Sequence, residues 1–454
     1  MSSNVRVRFA PSPTGNIHVG NVRPALINWL FARKAGGEFL FRLDDTDDER
    51  SKQEYADNIA RDLEWLGLTW DSFAKQSDRM DRYELAKQYL IEAGRLYPCY
   101  ETPDELSLKR KSLLSRGKPP IYDRAALRLT DEDKAAYEAE GRKPHWRFKL
   151  EHAPIEWHDL GHGDLRFKGE DLTDPVLFRE DGRPIYTISS VVDDLELEVT
   201  HVIRGDDHIA NTAVQKQLME ALIPHCGGAV PEFAHLPLLV AANGEKLSKR
   251  TGALSVADMR ADAGIEPMAV LSLLAKLGTS DPIEARATMD QLIEEFDISK
   301  FSKATPRFDP EEVKRLTIKL IQDMPFEAVK EKLAGRDGFP EFDQGFWEAV
   351  RPNLESLDDI TEWHRVANGP VEPVIEDAEF AKQAADLAPD GPWSEATWPE
   401  WIGKVKEASG RKGKALFMPL RKALTGMEHG PELQVLLPLI GRDRALARLK
   451  GEAS

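Results

Sequence analysis

Residues 8–21 read RFAPSPTGNIHVGN, and the architecture of the chain follows from how this stretch changes character. Leading into it, Val5, Val7 and Phe9 alternate with Arg6 and Arg8, the period-two pattern of a strand. Pro11, Pro13 and Gly15 then break the pattern, and helical spacing resumes with Leu26, Ile27, Leu30 and Phe31. A helix N-terminus therefore opens beyond the carboxyl end of a strand, with His18 and Gly20 at its mouth. In an open parallel sheet that crevice is where ligands bind, and free amide donors with the positive helix end favour a phosphate there. The stretch has no G-x-G-x-x-G fingerprint. Pro24 places the helix start near Arg23 or Pro24, where a missing N–H costs nothing.

A second segment bears on the first. Lys246-Leu247-Ser248-Lys249-Arg250 follows an Asn243-Gly244 turn far downstream. Alone it reads as a solvated lysine loop. Together with His-x-Gly-Asn behind the first strand it reads as the other half of a phosphate clamp.

Between the two, Gly36-Gly37 ends the first helix. Residues 38–43, too continuously apolar for an exposed edge, read as a second strand and complete a β-α-β unit. Asp44 to Asp48 form a carboxylate-rich turn at that strand's carboxyl end, with Asp44 beside the crevice. Ser51 to Glu54 have capping-box spacing ahead of a helix marked by Tyr55, Ile59, Leu63 and Leu66, with Gly67 as its stop. From Pro98 to Ile185 a basic run (Lys109, Arg110, Lys111, Arg116, Lys118) precedes short alternating stretches at 145–150, 155–160 and 164–167, the pattern of an inserted α+β domain. The main sheet is expected to resume at Tyr186. It would run through Val191-Val192-Asp193-Asp194 and a strand at 199–203 that ends in Arg204-Gly205-Asp206-Asp207-His208. A helix (Val214, Leu218, Leu222), a strand at 235–240 and a buried helix at 269–277 follow. From Lys319 onward only helical windows remain. Residues 354–400 are mainly acidic, whereas Lys404, Lys406, Arg411, Lys412, Lys414, Arg421 and Lys422 crowd one span.

The totals set bounds. A chain of 454 residues is too long for one core and suggests two to four domains. Its net charge of −17 argues against a polyanion partner unless basic residues cluster locally. Two cysteines, Cys99 and Cys226, permit neither a disulfide framework nor a four-cysteine metal site. The N-terminus lacks an apolar signal core, and no run of about 18 apolar residues occurs. A soluble, cytoplasmic protein with no membrane partner is expected.

HVGN at 18–21 and KLSKR at 246–250 resemble the two signature motifs of class I aminoacyl-tRNA synthetases. APSPTG at 10–15, RLDDTD at 42–47 and PLRKALTG at 419–426 resemble the bacterial-type glutamyl branch, and the likeness runs nearly end to end. It implies an α/β fold: a Rossmann-like catalytic domain (1–97 and 186–255), an inserted domain holding the acceptor end of tRNA (98–185), a stem-contact region (256–318) and an all-α anticodon-binding region (319–454). The implied reaction joins L-glutamate to ATP as glutamyl-adenylate, then passes the acyl group to tRNA(Glu). Charging of tRNA(Gln) as well is equally compatible with the sequence. His18, Gly20, Asn21, Lys246, Ser248 and Lys249 would hold ATP, accompanied by magnesium with no dedicated protein cage. Arg8 would pair the γ-carboxylate and Asp44 the ammonium group. Ser12, Tyr186, Arg204 and Ser190, the last where many relatives have asparagine, would line the same pocket, as would Asp207. Lys412, Lys414, Arg421 and Lys422 would face tRNA. Many relatives carry zinc in the insertion on cysteines and a histidine; here Cys99 stands without a cysteine neighbour, so no zinc is expected. A monomer is expected. A glutaminyl enzyme would show a P-E-P-type first motif and terminal β-barrels, a shortened paralogue would lack the helical tail, and a non-catalytic tRNA-binding descendant need not keep His18, Gly20, Lys246 and Lys249.

Overall fold

The computed structural model describes residues 5–47, 49–247, 255–261 and 264–454. It divides into two compact units, Met1–Ala261 with Val270–Pro310, and Asp262–Ala269 with Glu311–Ser454.

The first unit is built on parallel strands. β1 (Arg6–Phe9) pairs in parallel with β2 (Glu38–Leu43), which pairs in parallel with β3 (Ser72–Lys75). The crossover is α1 (Val19–Lys34), followed by α2 (Gln53–Trp65) and α3 (Met80–Glu92). β4 (Leu96–Cys99), α4 (Pro103–Ser115), α5 (Asp131–Ala139), β5 (His145–Phe148), β6 (Pro154–Asp159), β7 (Gly163–Lys168) and β8 (Val176–Phe178) come next. α6 (Tyr186–Glu196), β9 (His201–Gly205), α7 (Ile209–Cys226), β10 (Glu232–Leu236) and β11 (Val240–Ala241) return the chain to the sheet. α8 (Val256–Ala261), α9 (Pro267–Lys276), α10 (Met289–Glu295) and β12 (Arg307–Phe308), which pairs with β11, close the series before α11 (Pro310–Asp323) begins.

β10 pairs in parallel with β9 and with β6. Thr200, just before β9, ties this sheet to β1: its N–H donates to the Arg6 carbonyl at 2.8 Å, and its hydroxyl accepts the Arg6 N–H at 2.8 Å. The strands thus follow the order β3-β2-β1-β9-β10-β6-β7. The hairpin β6–β7 belongs to this sheet, so residues 98–185 are not self-contained. Only β4, β5 and β8 form a separate small sheet.

Three expectations are corrected. Tyr186 to Glu196 is helix, not strand. Ile188, Val191, Val192 and Leu195 keep helical spacing, but Ser189, Ser190, Asp193 and Asp194 are buried too, and a polar inner face hides the period that amphipathicity would reveal. The first helix starts at Val19 rather than near Arg23, because His18 caps it, and Pro24 lies within it. Ser51 does not cap α2. Lys52 is the N-cap without a side-chain bond, its N–H instead donating to the Pro13 carbonyl at 3.0 Å.

In the second unit the described residues form helices and turns: α12 (Phe326–Leu333), α13 (Gln344–Val350), α14 (Asp359–Asn368), α15 (Ala378–Asp386), α16 (Thr397–Ser409), α17 (Lys414–Thr425), α18 (Leu433–Ile440) and α19 (Arg442–Leu449). They enclose Trp347, Trp401 and a fully buried Arg448, whose Nη1 donates to the Val366 and Leu424 carbonyls at 2.8 and 2.7 Å.

Candidate active site

The mouth of α1 is organised by one ring. His18 Nδ1 accepts the Gly20 N–H at 3.0 Å, and Asn21 Oδ1 accepts the His18 N–H at 3.2 Å, a reciprocal cap. Burial and the Lys246 ammonium hold His18 below the ordinary imidazole range, so the ring is neutral at pH 7. With Nδ1 accepting, the single ring proton sits on Nε2, which becomes a donor suited to a phosphate oxygen. Glycine at position 20 makes this possible: a Cβ there would stand 2.8 Å from His18 Cε1 and 3.5 Å from Leu247 Cδ1. Ser255 bridges to His18, and the Val256 N–H donates to the Ile17 carbonyl at 3.0 Å. Leu247 and Ser255, on either side of the undescribed stretch, thus both lie beside the first motif, while Ser248, Lys249 and Arg250 fall outside the described residues.

Beside this mouth, at the carboxyl ends of β1 and β2, lies a buried cluster of alternating charge. Arg42 is fully buried. Its Nε and Nη2 grip Asp44 at 2.7 and 3.3 Å, its Nη1 reaches Asp194 at 2.8 Å, and its Nη2 reaches Ser190 Oγ at 3.4 Å. Arg8 donates from Nε to the same Asp194 oxygen at 3.1 Å. Asp193 lies 3.8 Å from Arg42 Nε and makes its hydrogen bonds to Arg79 Nε at 2.7 Å, Gln76 Nε2 at 2.9 Å and the Tyr83 hydroxyl. Burial lifts the Asp44 carboxyl to about 6 against the pull of Arg42, whereas Arg8 and Arg42 outweigh burial at Asp194 and hold it below the usual carboxylate range.

A cavity of about 460 Å³ opens in front of this cluster, lined by Ser12, Asp44, Gln76, Arg179, Arg183 and Tyr186 among others. Arg8, Ser190 and Arg204 are not part of its lining. Arg8 and Ser190 stand behind Asp44, linked through Asp194 and Arg42. Arg204 is reached through Tyr186, whose hydroxyl accepts from Nη1 at 3.0 Å, while Nη2 donates to Thr212 and Gln215, each at 2.6 Å. Asp207 sits in the turn Asp206–His208 after β9 and is about half exposed. Sequence reasoning missed Arg42. The signal was available, because a lone charge in an otherwise apolar strand must find partners when buried.

The basic cluster of the second unit divides. Lys412 and Lys414 are exposed. Arg421 is half-buried and donates from Nη2 to the Pro431 carbonyl at 3.0 Å, and Lys422 is paired with Glu376 at 2.7 Å and Glu428 at 2.5 Å. The last two are spent on their own unit, which the spacing of the charges does not disclose.

The comparisons with known proteins agree on one family. The catalytic-domain model of class I tRNA synthetases (E and Q) matches residues 4–315, and an anticodon-binding domain model matches residues 333–452. This chain belongs to that synthetase family. It is similar to a glutamate–tRNA ligase of Azospirillum brasilense, with 60% identity over 99% of this chain and all of that one. It is 54% identical to glutamate–tRNA ligase 1 of Maricaulis maris, again over 99% and 100% of the two chains. A solved glutamate tRNA ligase from Elizabethkingia meningosepticum, in complex with its amino acid, aligns with a TM-score of 0.84 at 28% identity, covering 98% of each chain. The α/β synthetase catalytic fold and the helical anticodon-binding fold are thus established for this chain.

Among the described residues, three candidate metal ligands meet in the insertion of this synthetase. Cys99 and His145 face each other across β4 and β5, and with Glu101 their ligand atoms lie within 4.8 Å of one another. Glu101 Oε2 and His145 Nε2 are buried without a hydrogen bond, which favours a ligand, but the surroundings do not. Lys109 lies 3.2 Å from Glu101, whose same oxygen also accepts from the Tyr122 hydroxyl at 2.7 Å. Burial raises the Cys99 thiol to about 12, and burial together with Arg147 draws His145 down to about 4. One thiol, one carboxylate and one imidazole, with no fourth such ligand beside them among the described residues, fall short of a closed four-ligand zinc site.

Arg42 carries the charge balance of the substrate-side cluster. Arg42→Met should destabilise the protein by about 3–5 kcal/mol at pH 7, since it strands Asp44 and Asp194 without a shared partner. The deficit should shrink at pH 5, because a carboxyl whose folded pKa lies above its unfolded value gains stability as pH falls through that window. Urea unfolding at the two pH values measures both, and a deficit under about 1 kcal/mol at pH 7 would contradict this role for Arg42.

Proposed function

We propose that this chain is a glutamate–tRNA ligase. An α-carboxylate oxygen of L-glutamate attacks the α-phosphorus of ATP, the bond to the β-phosphate oxygen breaks, and diphosphate leaves. A ribose hydroxyl of the terminal adenosine of tRNA(Glu) then attacks the acyl carbon and AMP departs. What carries this reading is the pairing of a His18-capped helix mouth with a buried Arg8–Asp194–Arg42–Asp44 chain at the carboxyl ends of β1 and β2.

The neutral His18 would donate from Nε2 to ATP phosphates, with Gly20 and Asn21 beside it. Lys246, Ser248 and Lys249 would stabilise the charge that builds on the pentavalent centre and the leaving diphosphate. Magnesium would come with the triphosphate. Arg8, held by Asp194 through Nε alone, would offer its remaining N–H groups to the γ-carboxylate, and Asp44 would accept from the ammonium group. A cationic partner there also favours ionisation of Asp44. Ser12 and Tyr186 would complete the pocket wall, with Ser190 and Arg204 acting on it from behind through Arg42 and Tyr186. We place the enzyme in the cytoplasm as a monomer, with tRNA bound along the insertion and the helical unit.

Arg8→Gln tests the substrate. It should lower kcat/KM for glutamate at least tenfold in tRNA charging with ATP and tRNA saturating, about one lost charge-assisted bond. Little gain toward glutamine is expected, because a pocket shaped for a carboxylate leaves amide hydrogens without acceptors. An unchanged KM for glutamate would remove Arg8 from the pocket.

Lys412 and Lys414 test the tRNA surface. Changing both to Gln should weaken tRNA binding and flatten the dependence of log affinity on log salt by about one to two, whereas Lys422→Gln should leave that slope unaltered. Filter binding across a salt series measures both.

Magnesium should be the only metal the enzyme requires. Elemental analysis of active, chelator-treated protein is expected to find well under one zinc per chain, and stoichiometric zinc would contradict this.

A further inference from the structure

Behind Tyr186 and Arg204 lies a second buried polar chain that the reaction scheme does not use. Asp159 at the end of β6 and His235 in β10 are both essentially inaccessible, as is Thr212 in α7. Asp159 Oδ1 accepts three backbone N–H groups, from His235 at 3.0 Å, Gly161 at 3.0 Å and His162 at 3.1 Å. Its other oxygen, Oδ2, faces His235 Nδ1 in a short hydrogen bond. On the far side of the ring, Nε2 lies 2.8 Å from Thr212 Oγ1 and 3.4 Å from Arg204 Nε. Thr212 Oγ1 in turn accepts from Arg204 Nη2 at 2.6 Å.

The Thr212 hydroxyl also reaches the His208 carbonyl at 3.2 Å, so the carboxylate on one side of the ring and the guanidinium on the other select the arrangement of protons. A carboxylate opposite Nδ1 requires an N–H there, so a neutral ring must present Nε2 as a lone pair. That lone pair is what Arg204 Nε–H needs, since a guanidinium offers donors only. The opposite tautomer would set a lone pair against Asp159 and aim an N–H at the guanidinium. Close packing adds to the constraint: a Cβ on Gly161 would fall 2.2 Å from the His235 carbonyl oxygen, so the turn after β6 lies directly against β10.

We propose that Asp159 and His235 are positioning residues for Arg204. Asp159 selects the Nδ1–H tautomer of His235, and the resulting Nε2 acceptor, shared with Thr212, fixes the guanidinium at the angle from which it meets the Tyr186 hydroxyl and the substrate. The effect on substrate rests on the reading of Arg204 as a glutamate-pocket residue. The assignment of the tautomer does not.

The decisive variant is Asp159→Asn. Three backbone donors converge on Oδ1, so the amide must keep its oxygen there and turn its NH2 toward Nδ1, which inverts the tautomer. Nitrogen-15 NMR of histidine-labelled, full-length enzyme, with the His235 signals assigned by their loss in His235→Gln, should find Nδ1–H in the wild type and Nε2–H in Asp159→Asn. In tRNA charging with ATP and tRNA saturating, Asp159→Asn should raise the KM for glutamate at least tenfold, with less than threefold change in the KM for ATP. Arg204→Gln is measured in parallel. A wild-type Nε2–H signal overturns the proposal even if the variant does not fold. An inverted tautomer with unchanged KM for glutamate overturns the positioning role, provided Arg204→Gln raises that KM. If Arg204→Gln leaves the KM unchanged, the pocket reading fails instead, while the NMR still decides the tautomer.

Discussion

A guanidinium with no access to water governs the arrangement of this catalytic unit. Arg42 sits in the middle of a parallel sheet and is surrounded by carboxylates from two other places in the chain, Asp44 two residues on and Asp194 on α6. Such a group is stable only when its donors are all answered. That requirement pins α6 against the ends of β1 and β2. Arg8 shares Asp194, so the residue read as facing the substrate side chain is oriented by the residue that balances Arg42. A buried ion cluster of this kind contributes less to net stability than to a single geometry, which is what a pocket for a small charged substrate requires.

The same logic recurs at lower charge at the helix mouth. His18 is neutral because burial and a nearby lysine disfavour its cation, and its tautomer is set by a backbone N–H. A neutral ring donor arises there without a second fixed positive charge beside Lys246. Downstream, Ser255 and Val256 hold the chain against this helix mouth through His18 and the Ile17 carbonyl.

A net charge of −17 coexists with a polyanion-binding reading because charge matters locally. Several of the cations that crowd together in the tail sequence are consumed inside the helical unit, Arg421 by a carbonyl and Lys422 by two glutamates. Lys406, Lys412 and Lys414 of that cluster stay exposed.

The family, the α/β class and the helical tail were legible in the amino-acid order, because each depends on short-range pattern: strand alternation, a broken turn, helical spacing and short motifs. The placing of Arg8 and Asp44 at neighbouring strand ends was legible too, since alternation and the following turns mark where β1 and β2 stop. The helical state of Tyr186 to Glu196 was not, because Asp193 and Asp194 occupy its buried face and erase the contrast on which periodicity depends. Nor was the place of the β6–β7 hairpin, whose pairing with β10 spans more than seventy residues. The partners of Arg42, and the chain from Asp159 to Arg204, could only be decided by tertiary structure. A charge in the sequence states that a partner must exist when it is buried, whereas which partner it finds depends on long-range packing that no local pattern encodes.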